Sequence, residues 1–265
     1  MIFNVLTISG SDPSGGAGIQ ADLKTLSALG VYSATAITAL TIQNTQGVVA
    51  MYPVAASIVA SQLDAVFSDL RIDAVKIGML ANVENVLAVA YAIERYRPAH
   101  VVLDTVIRSS SGYVLLEPNA LAVLRERLFP LTNIITPNLY EAAVLLDQPL
   151  AADEVQMTRQ GDALHALGAQ AVLIKGGHFL GSCSPDWLIE KDGHTRLSSP
   201  RLRVTGTHGT GCTLSAAIAA LRPQKRDWIN TVSDAKTYLN QALLHSTRLS
   251  VGLGTGPLHH FHTWW

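Results

Sequence analysis

Apolar residues recur along this chain in two alternating patterns: short β-branched runs, and longer stretches in which they return every three or four positions. FNVLTIS (Phe3 to Ser9), AVKIG, HVVLD, NIITP and AVLIK are the runs, and their length and apolar density predict buried strands. The stretch around Ile19 to Leu29, NVLAVAYAIERY and EPNALAVLRERL separate them, and their spacing predicts helices packed by one face. Strands alternating with helices predict a parallel sheet covered on both faces. Two segments break this rhythm. SATAITALTIQNTQGVVAMYPV predicts two strands joined at NTQG, and SPDWLIEKDGHTRLSSPRL predicts a hairpin turning at Asp192 and Gly193. No linker, low-complexity stretch or internal repeat divides the chain, so the expectation is one α/β domain over residues 1–265 with these strands added at its edges.

Composition narrows the function classes. Of 265 residues, 48% are hydrophobic and 15% charged, which suits a well-buried, enzyme-like domain. With 19 basic and 20 acidic residues the net charge is −1, so no global field recruits nucleic acid or an anionic membrane. MIFNVLTISGSD lacks the basic stretch and cleavage site of a signal peptide, and no apolar run reaches the roughly 20 residues that span a bilayer. A soluble, cytoplasmic protein is expected. Two cysteines, Cys183 and Cys212, indicate a reducing compartment rather than a disulfide scaffold.

In an open parallel sheet, ligands collect beyond the carboxyl ends of the strands. The residues there are Gly10, Ser11 and Asp12, then Gly78 and Met79, Asp104, Asn138, and Lys175 with Gly176 and Gly177. GSDPSGGAGIQAD matches GxGxxA at Gly16, Gly18 and Ala21, but no acid follows between Asp22 and Asp64 to take a ribose. It reads as a flexible turn or as a place where backbone approaches a flat ligand or a phosphate. In THGTGCTLSAAIAALR, Gly209, Thr210 and Gly211 lead into a helix whose first amides attract anions, although Cys212 also fits a structural thiol. Asn138 and Glu141 share a helical face and, with Asp104, could order Mg²⁺; ordinary capping explains the pair nearly as well. The tail HHFHTWW offers His259, His260 and His262, but their irregular spacing favours a packed or exposed tail over a zinc site.

SGSDPSGGAGIQADLKT, ALTIQNTQGV, DAVKIGML, VVLDTV, ITPNLYEA, KGGH, THGTGCTLSAAIA and GPLHHFHTWW occur in this order along the whole chain. Together they resemble the ribokinase-like superfamily and, within it, the hydroxymethylpyrimidine/phosphomethylpyrimidine kinases of thiamine biosynthesis. The resemblance implies a ribokinase-like fold and transfer of the ATP γ-phosphate to 4-amino-5-hydroxymethyl-2-methylpyrimidine, then to the resulting monophosphate. It places the ring-binding glutamine at Gln43, whose carboxamide can meet an exocyclic amine and the adjacent ring nitrogen side by side. Gly10, Asp22, Met79 and Val106 match positions around the substrate. Asp104, Asn138 and Glu141 fall in the Mg²⁺ and phosphate region, Lys175 serves the nucleotide phosphates, and Lys236 lies near the nucleotide. A homodimer through exposed edge strands is also implied.

Many sugar kinases of the superfamily carry Asp where Cys212 stands, as the base that takes the acceptor's proton. A free thiol has a pKa near ~8.5 and a helix N-terminus lowers it, so Cys212 is expected to be a base poised nearer neutrality, among the amides of Gly209, Thr210 and Gly211. A covalent-cysteine enzyme would need a basic partner, and His208 is the only sequence neighbour of that kind. One departure stands out: DTVI carries Ile107 where the family pattern has methionine, which bears on the shape of a substrate lid. Two other readings stay open, a pyridoxal or pyridoxine kinase and a non-catalytic nucleotide-binding module.

Overall fold

The computed structural model describes every residue except Met1, His178, Leu180 and Arg203. β1 (Asn4–Ser11), α1 (Gly18–Ala28), β2 (Tyr32–Asn44), β3 (Gly47–Pro53), α2 (Ala56–Asp69), β4 (Ala74–Ile77), α3 (Val83–Tyr96) and β5 (Val101–Leu103) form the first half. The second half holds α4 (Ala120–Val123), β6 (Ile134–Ile135), α5 (Leu139–Leu146), α6 (Glu154–His165), β7 (Ala171–Lys175), β8 (Cys183–Glu190), β9 (Gly193–Pro200), α7 (Thr210–Leu221) and α8 (Trp228–Leu244). Every apolar run read as a strand is one, and both irregular segments pair as expected, β2 with β3 and β8 with β9. EPNALAVLRERL differs in detail: α4 starts at Ala120 and widens into a π-type turn over Leu124–Leu128.

Among the described residues the strands form one nine-stranded sheet in the order β3-β2-β1-β4-β5-β6-β7-β8-β9. β2, β1, β4, β5, β6 and β7 run parallel, while β3 and the β8–β9 hairpin extend the two edges antiparallel. The chain proceeds outward from β1 on one side and returns to start β4 on the other. The switch point therefore lies between β1 and β4, where an open sheet leaves a crevice at its carboxyl end.

The period-2 alternation of strands splits the core in two. Leu6, Ile8, Val75, Ile77, Val101, Leu103, Val172 and Ile174 face α2, α3, α5 and α6. Val5, Ala74, Val102, Ile134, Ala171 and Leu173 face α1, α7 and α8. Parity places Thr7 and Lys76, which are register partners on β1 and β4, on the second face, beneath α1. There Asp22 of α1 accepts from Thr7 Oγ1 at 2.6 Å and pairs with Lys76 Nζ at 2.8 Å, with both charged side chains fully buried.

This pair corrects one expectation. Asp22 does not border open space where a substrate could reach it; the first turns of α1 bury it against the sheet, and its carboxylate is the counter-ion of a lysine inside the fold. Breaking a buried pair leaves one uncompensated charge, which costs more than replacing both members. Lys76→Met should therefore lower stability by about 3–5 kcal/mol, and Asp22→Val combined with Lys76→Met should recover most of that loss. Urea unfolding of the single and double variants checks this; equal destabilisation by single and double changes would show that the two charges do not act as a pair.

Candidate active site

At the carboxyl end of the sheet lies a cavity of about 730 Å³, lined by β-strand ends, the Gly-rich loop after β1 and the start of α7. The two loops touch. Gly209, the N-cap of α7, has φ +85°, and a Cβ there would lie 1.9 Å from the Gly16 carbonyl oxygen. Only glycine permits both that dihedral and that approach. Thr210, Gly211 and Cys212 form the first turn; Thr210 Oγ1 donates to Thr207 O at 2.6 Å, and the amides of Gly211 and Cys212 find no acceptor among the described residues. Such orphan donors, with the helix dipole behind them, favour an anion.

Behind this turn stands a charged cluster. A Cβ on Gly211 would sit 3.4 Å from Asp104 Oδ2 and 3.6 Å from Lys175 Nζ, so bare backbone faces that pair. Lys175 Nζ donates to Asp104 Oδ1 at 3.1 Å, and Thr136 Oγ1 donates to the same oxygen at 2.9 Å. Burial opposes the Asp104 charge, but Lys175 and Lys76 outweigh it and hold the carboxyl below its usual range. Asn138 and Glu141 form a reciprocal capping box at the start of α5, each accepting the other's backbone N–H at 2.9 Å. The capping reading thus holds, and the same geometry brings both residues to the cavity wall. Thr105 Oγ1 donates to Glu141 Oε2 at 3.2 Å. Burial, against the pull of Lys175 and with the Asp104 charge adding to it, pushes Glu141 up to about 7.

Cys212 lines the same cavity and is half-buried, with the Gly18 amide directed at its sulfur. Its ionisation corrects the expected depression. Burial pushes the thiol up to about 11; the Lys76 ammonium pulls against this, but the charges of Asp22 and Asp104 add to the rise. Cys212 is therefore a protonated thiol at neutral pH, because desolvation and two nearby carboxylates outweigh the Lys76 ammonium and the Gly18 amide.

The same cavity is lined by Gly10, Gln43, Met79 and Val106, and Val106 N donates to Asp104 O at 2.9 Å. Gly10 is packed so tightly that a Cβ would meet Met79 Cε at 2.5 Å. Ile107 is buried in the core beside α3 and α4 rather than at the cavity wall, so its departure from the family pattern leaves the lining unchanged. Gln43 sits 3.2 Å from His208 Nε2, and that nitrogen lies 2.8 Å from Asp12 Oδ2. Lys236 also lines the cavity, but its ammonium is engaged by Asp186 and by Ser184 O at 3.2 Å, so it is not free to meet a phosphate without giving up a buried carboxylate.

Sequence reasoning missed the roles of several neighbours. Lys76 carries a signal in retrospect, a lone cation within the apolar AVKI. Asp186 and Arg201 carry none, since their partners lie across the fold; Arg201 binds the carbonyls of Gly177 and Gly181 at 2.8 and 3.0 Å. Arg108 lines the cavity with its guanidinium 5.1 Å above the Tyr140 ring and has no anionic partner among the described residues. The histidine tail is packed, as expected: His259 and His260 are buried, and His260 Nε2 meets Thr213 Oγ1 at 3.0 Å. Among the described residues no group of three or more His, Cys, Asp or Glu could hold a metal ion by itself. His178 of KGGH lies outside the described residues.

Comparison with known proteins agrees with this geometry. A family profile described as "Phosphomethylpyrimidine kinase" matches residues 12–259. The chain is 56% identical to the hydroxymethylpyrimidine/phosphomethylpyrimidine kinase of Escherichia coli (strain K12), over 99% of this chain and 98% of that protein. Among solved structures, it superposes on Bacillus subtilis pyridoxal kinase in an ADP complex with a TM-score of 0.90 and 32% identity, covering 99% of each chain. It also matches the phosphomethylpyrimidine kinase of Clostridium difficile 630 with a TM-score of 0.80 and 40% identity, over 91% of this chain and 99% of that one.

Proposed function

The chain belongs to the phosphomethylpyrimidine kinase family, and from that membership we propose how its cavity performs the two phosphoryl transfers. The reaction is ATP-dependent phosphorylation of 4-amino-5-hydroxymethyl-2-methylpyrimidine to its monophosphate and then to its diphosphate, in thiamine biosynthesis. One observation carries the assignment of roles: a single cavity is lined by Gln43, by Asp104, Lys175 and Glu141, and by Cys212 and the start of α7. The alternatives of a pyridoxal kinase or a non-catalytic module have no comparable support, since the family profile and the extensive identity to the Escherichia coli enzyme both point to the pyrimidine kinases.

Gln43 holds the aminopyrimidine edge, while Gly10, Met79 and Val106 enclose the flat ring. The Gly211 and Cys212 amides stabilise charge that spreads over the transferring phosphoryl oxygens. Lys175 steadies the nucleotide phosphates, and Thr210, Asn138 and Glu141 border them. Lys236 acts from behind through Asp186 and Ser184. Mg²⁺ fits the donor set: Asp104 Oδ2 and Glu141 Oε1 accept no hydrogen bond among the described residues, and Mg²⁺ takes few protein carboxylates with water and phosphate completing its shell. When bound, Mg²⁺ neutralises phosphate charge. The exposed apolar side chains of Tyr32, Leu40, Ile42, Val49 and Tyr52 on β2 and β3 support a homodimer through that edge. No helix among the described residues is long and apolar enough to cross a membrane, which is compatible with a cytoplasmic enzyme.

The alcohol must lose its proton as it gains its first phosphoryl group, and the thiolate form of Cys212 lines the cavity where it can receive that proton. In a loose transition state the acceptor oxygen becomes acidic only late, so a proton acceptor is required late as well. The second acceptor, a phosphate monoester, is largely ionised above pH ~6 and needs no base. Cys212→Ala should therefore slow the first transfer about 100-fold and the second far less. With a thiol near 11, thiolate increases as pH rises, so the first-transfer rate should climb between pH 7 and 9 while the second stays flat. Separate assays with alcohol and monophosphate check both statements; equal losses in the two half-reactions would remove Cys212 from the base role.

The second acceptor brings a dianion towards ATP and requires a free cation. Among the described Lys and Arg residues of the lining, Lys175, Lys236 and Arg201 are committed to chain acceptors, which leaves Arg108. Arg108→Gln should raise KM for the monophosphate about tenfold relative to KM for the alcohol, the size of one charge-assisted contact. Equal effects on both acceptors, or an effect on ATP alone, would reject this placement.

A further inference from the structure

Gln43 is flanked by neighbours that hold its position yet leave its hydrogen-bonding capacity unspent. His208 is fixed at both ends. Its backbone N–H donates to Gly256 O at 3.1 Å, and its ring packs on Gly16, where a Cβ would lie 2.3 Å from His208 Cδ2. Its Nε2 lies 2.8 Å from Asp12 Oδ2. Asp12 also receives Ser14 N at 2.8 Å, Ser14 Oγ at 2.7 Å, Gly16 N at 3.2 Å and Ala17 N at 2.9 Å. Burial opposes its charge, but the hydrogen bonds of His208 and Ser14 win and keep the carboxyl below its usual range. An ionised acceptor surrounded by donors requires that the shared proton sit on His208 Nε2.

That assignment has a consequence for the glutamine. Once Nε2 carries a hydrogen aimed at Asp12, it has no lone pair for Gln43 Nε2 at 3.2 Å. On the other side, the single hydrogen of Thr41 Oγ1 is shared between Ser11 O at 2.9 Å and Gln43 Oε1 at 3.1 Å. The carboxamide is wedged in place, with its donors unclaimed among the described residues and its acceptor only partly served. A ligand edge with a ring acceptor beside an exocyclic donor satisfies both.

We propose that the Asp12–His208 pair is a positioning and specificity device, which holds Gln43 in the orientation that reads an aminopyrimidine edge while denying its amide hydrogens an acceptor on the imidazole. The inference rests on the ring-binding reading of Gln43 and extends it to two residues that do not touch the reacting atoms. The pair also joins the two glycine loops, so the ring-reading group and the start of α7 share one anchor. His208 is not a catalytic residue in this scheme.

Steady-state kinetics with the aminopyrimidine alcohol and ATP test it, on the wild type, His208→Ala, His208→Gln, Gln43→Ala and the His208→Ala/Gln43→Ala double variant. His208→Ala should raise KM for the alcohol about tenfold, the scale of one misplaced polar contact, with kcat and KM for ATP within about twofold. In the Gln43→Ala background the same change should have no further effect. His208→Gln fills the space but offers a carbonyl that caps Gln43, so its KM should rise too; it also serves if the alanine variant is poorly folded by its melting temperature. The analogue without the exocyclic amine should be insensitive to every His208 change. Additive losses in the double variant, a loss confined to kcat or ATP, or a normal KM in His208→Gln would overturn the proposal. An unchanged KM in Gln43→Ala would instead overturn the reading of Gln43 on which it rests.

Discussion

A helix that begins with two amides lacking partners, at the mouth of a cavity, is the constraint around which this structure is arranged. Among the described residues the Gly211 and Cys212 amides of the first turn of α7 find no acceptor, and the bare backbone of Gly211 faces Asp104 and Lys175. That arrangement is possible only because Gly209 and Gly211 carry no side chains. One allows the loop after β1 to approach within van der Waals contact, and the other exposes backbone to the charged pair. A donor set preorganised in this way costs no reorganisation when charge develops on a phosphoryl group.

The charges behind it are distributed with the same economy. Lys76 is sealed between sheet and α1 and balanced by Asp22; burial opposes its charge, but Asp22 and Asp104 outweigh this and hold the ammonium above its usual range. It reaches Cys212 only through its field. The thiol therefore sits between one ammonium that favours its ionisation and two carboxylates that disfavour it, with desolvation deciding the balance. A thiol kept protonated is shielded from the thiolate chemistry that would oxidise it, and only its small thiolate fraction has proton-accepting capacity at neutral pH.

Acceptor choice does not follow from this machinery. The backbone is shared with a pyridoxal kinase to high structural similarity, so architecture and phosphoryl chemistry cannot distinguish one flat hydroxymethyl heterocycle from another. The distinction has to reside in groups that read the edge of the ring. Gln43 is the proposed group, and its surroundings are polar enough to hold it while His208 Nε2, turned to Asp12, offers it no acceptor.

The sequence by itself determined the strand and helix order, the two antiparallel edges and the family, because period-2 and helical apolar patterns and contiguous glycine-rich motifs are local signals that survive in one dimension. It also located most of the rim: Gly10, Gln43, Met79, Asp104, Asn138, Glu141, Lys175 and Cys212 all border the one cavity. Only tertiary structure decided what each group's charge and direction are. Asp22 faces an interior lysine because strand parity and helix docking put Lys76 beneath it, and Cys212 holds its proton because desolvation and remote carboxylates outweigh the Lys76 ammonium and the Gly18 amide. His208 meets Asp12 across 196 residues of chain. Hydrogen-bond partnership and dielectric depend on distances between segments that are far apart in sequence, and no local pattern encodes them.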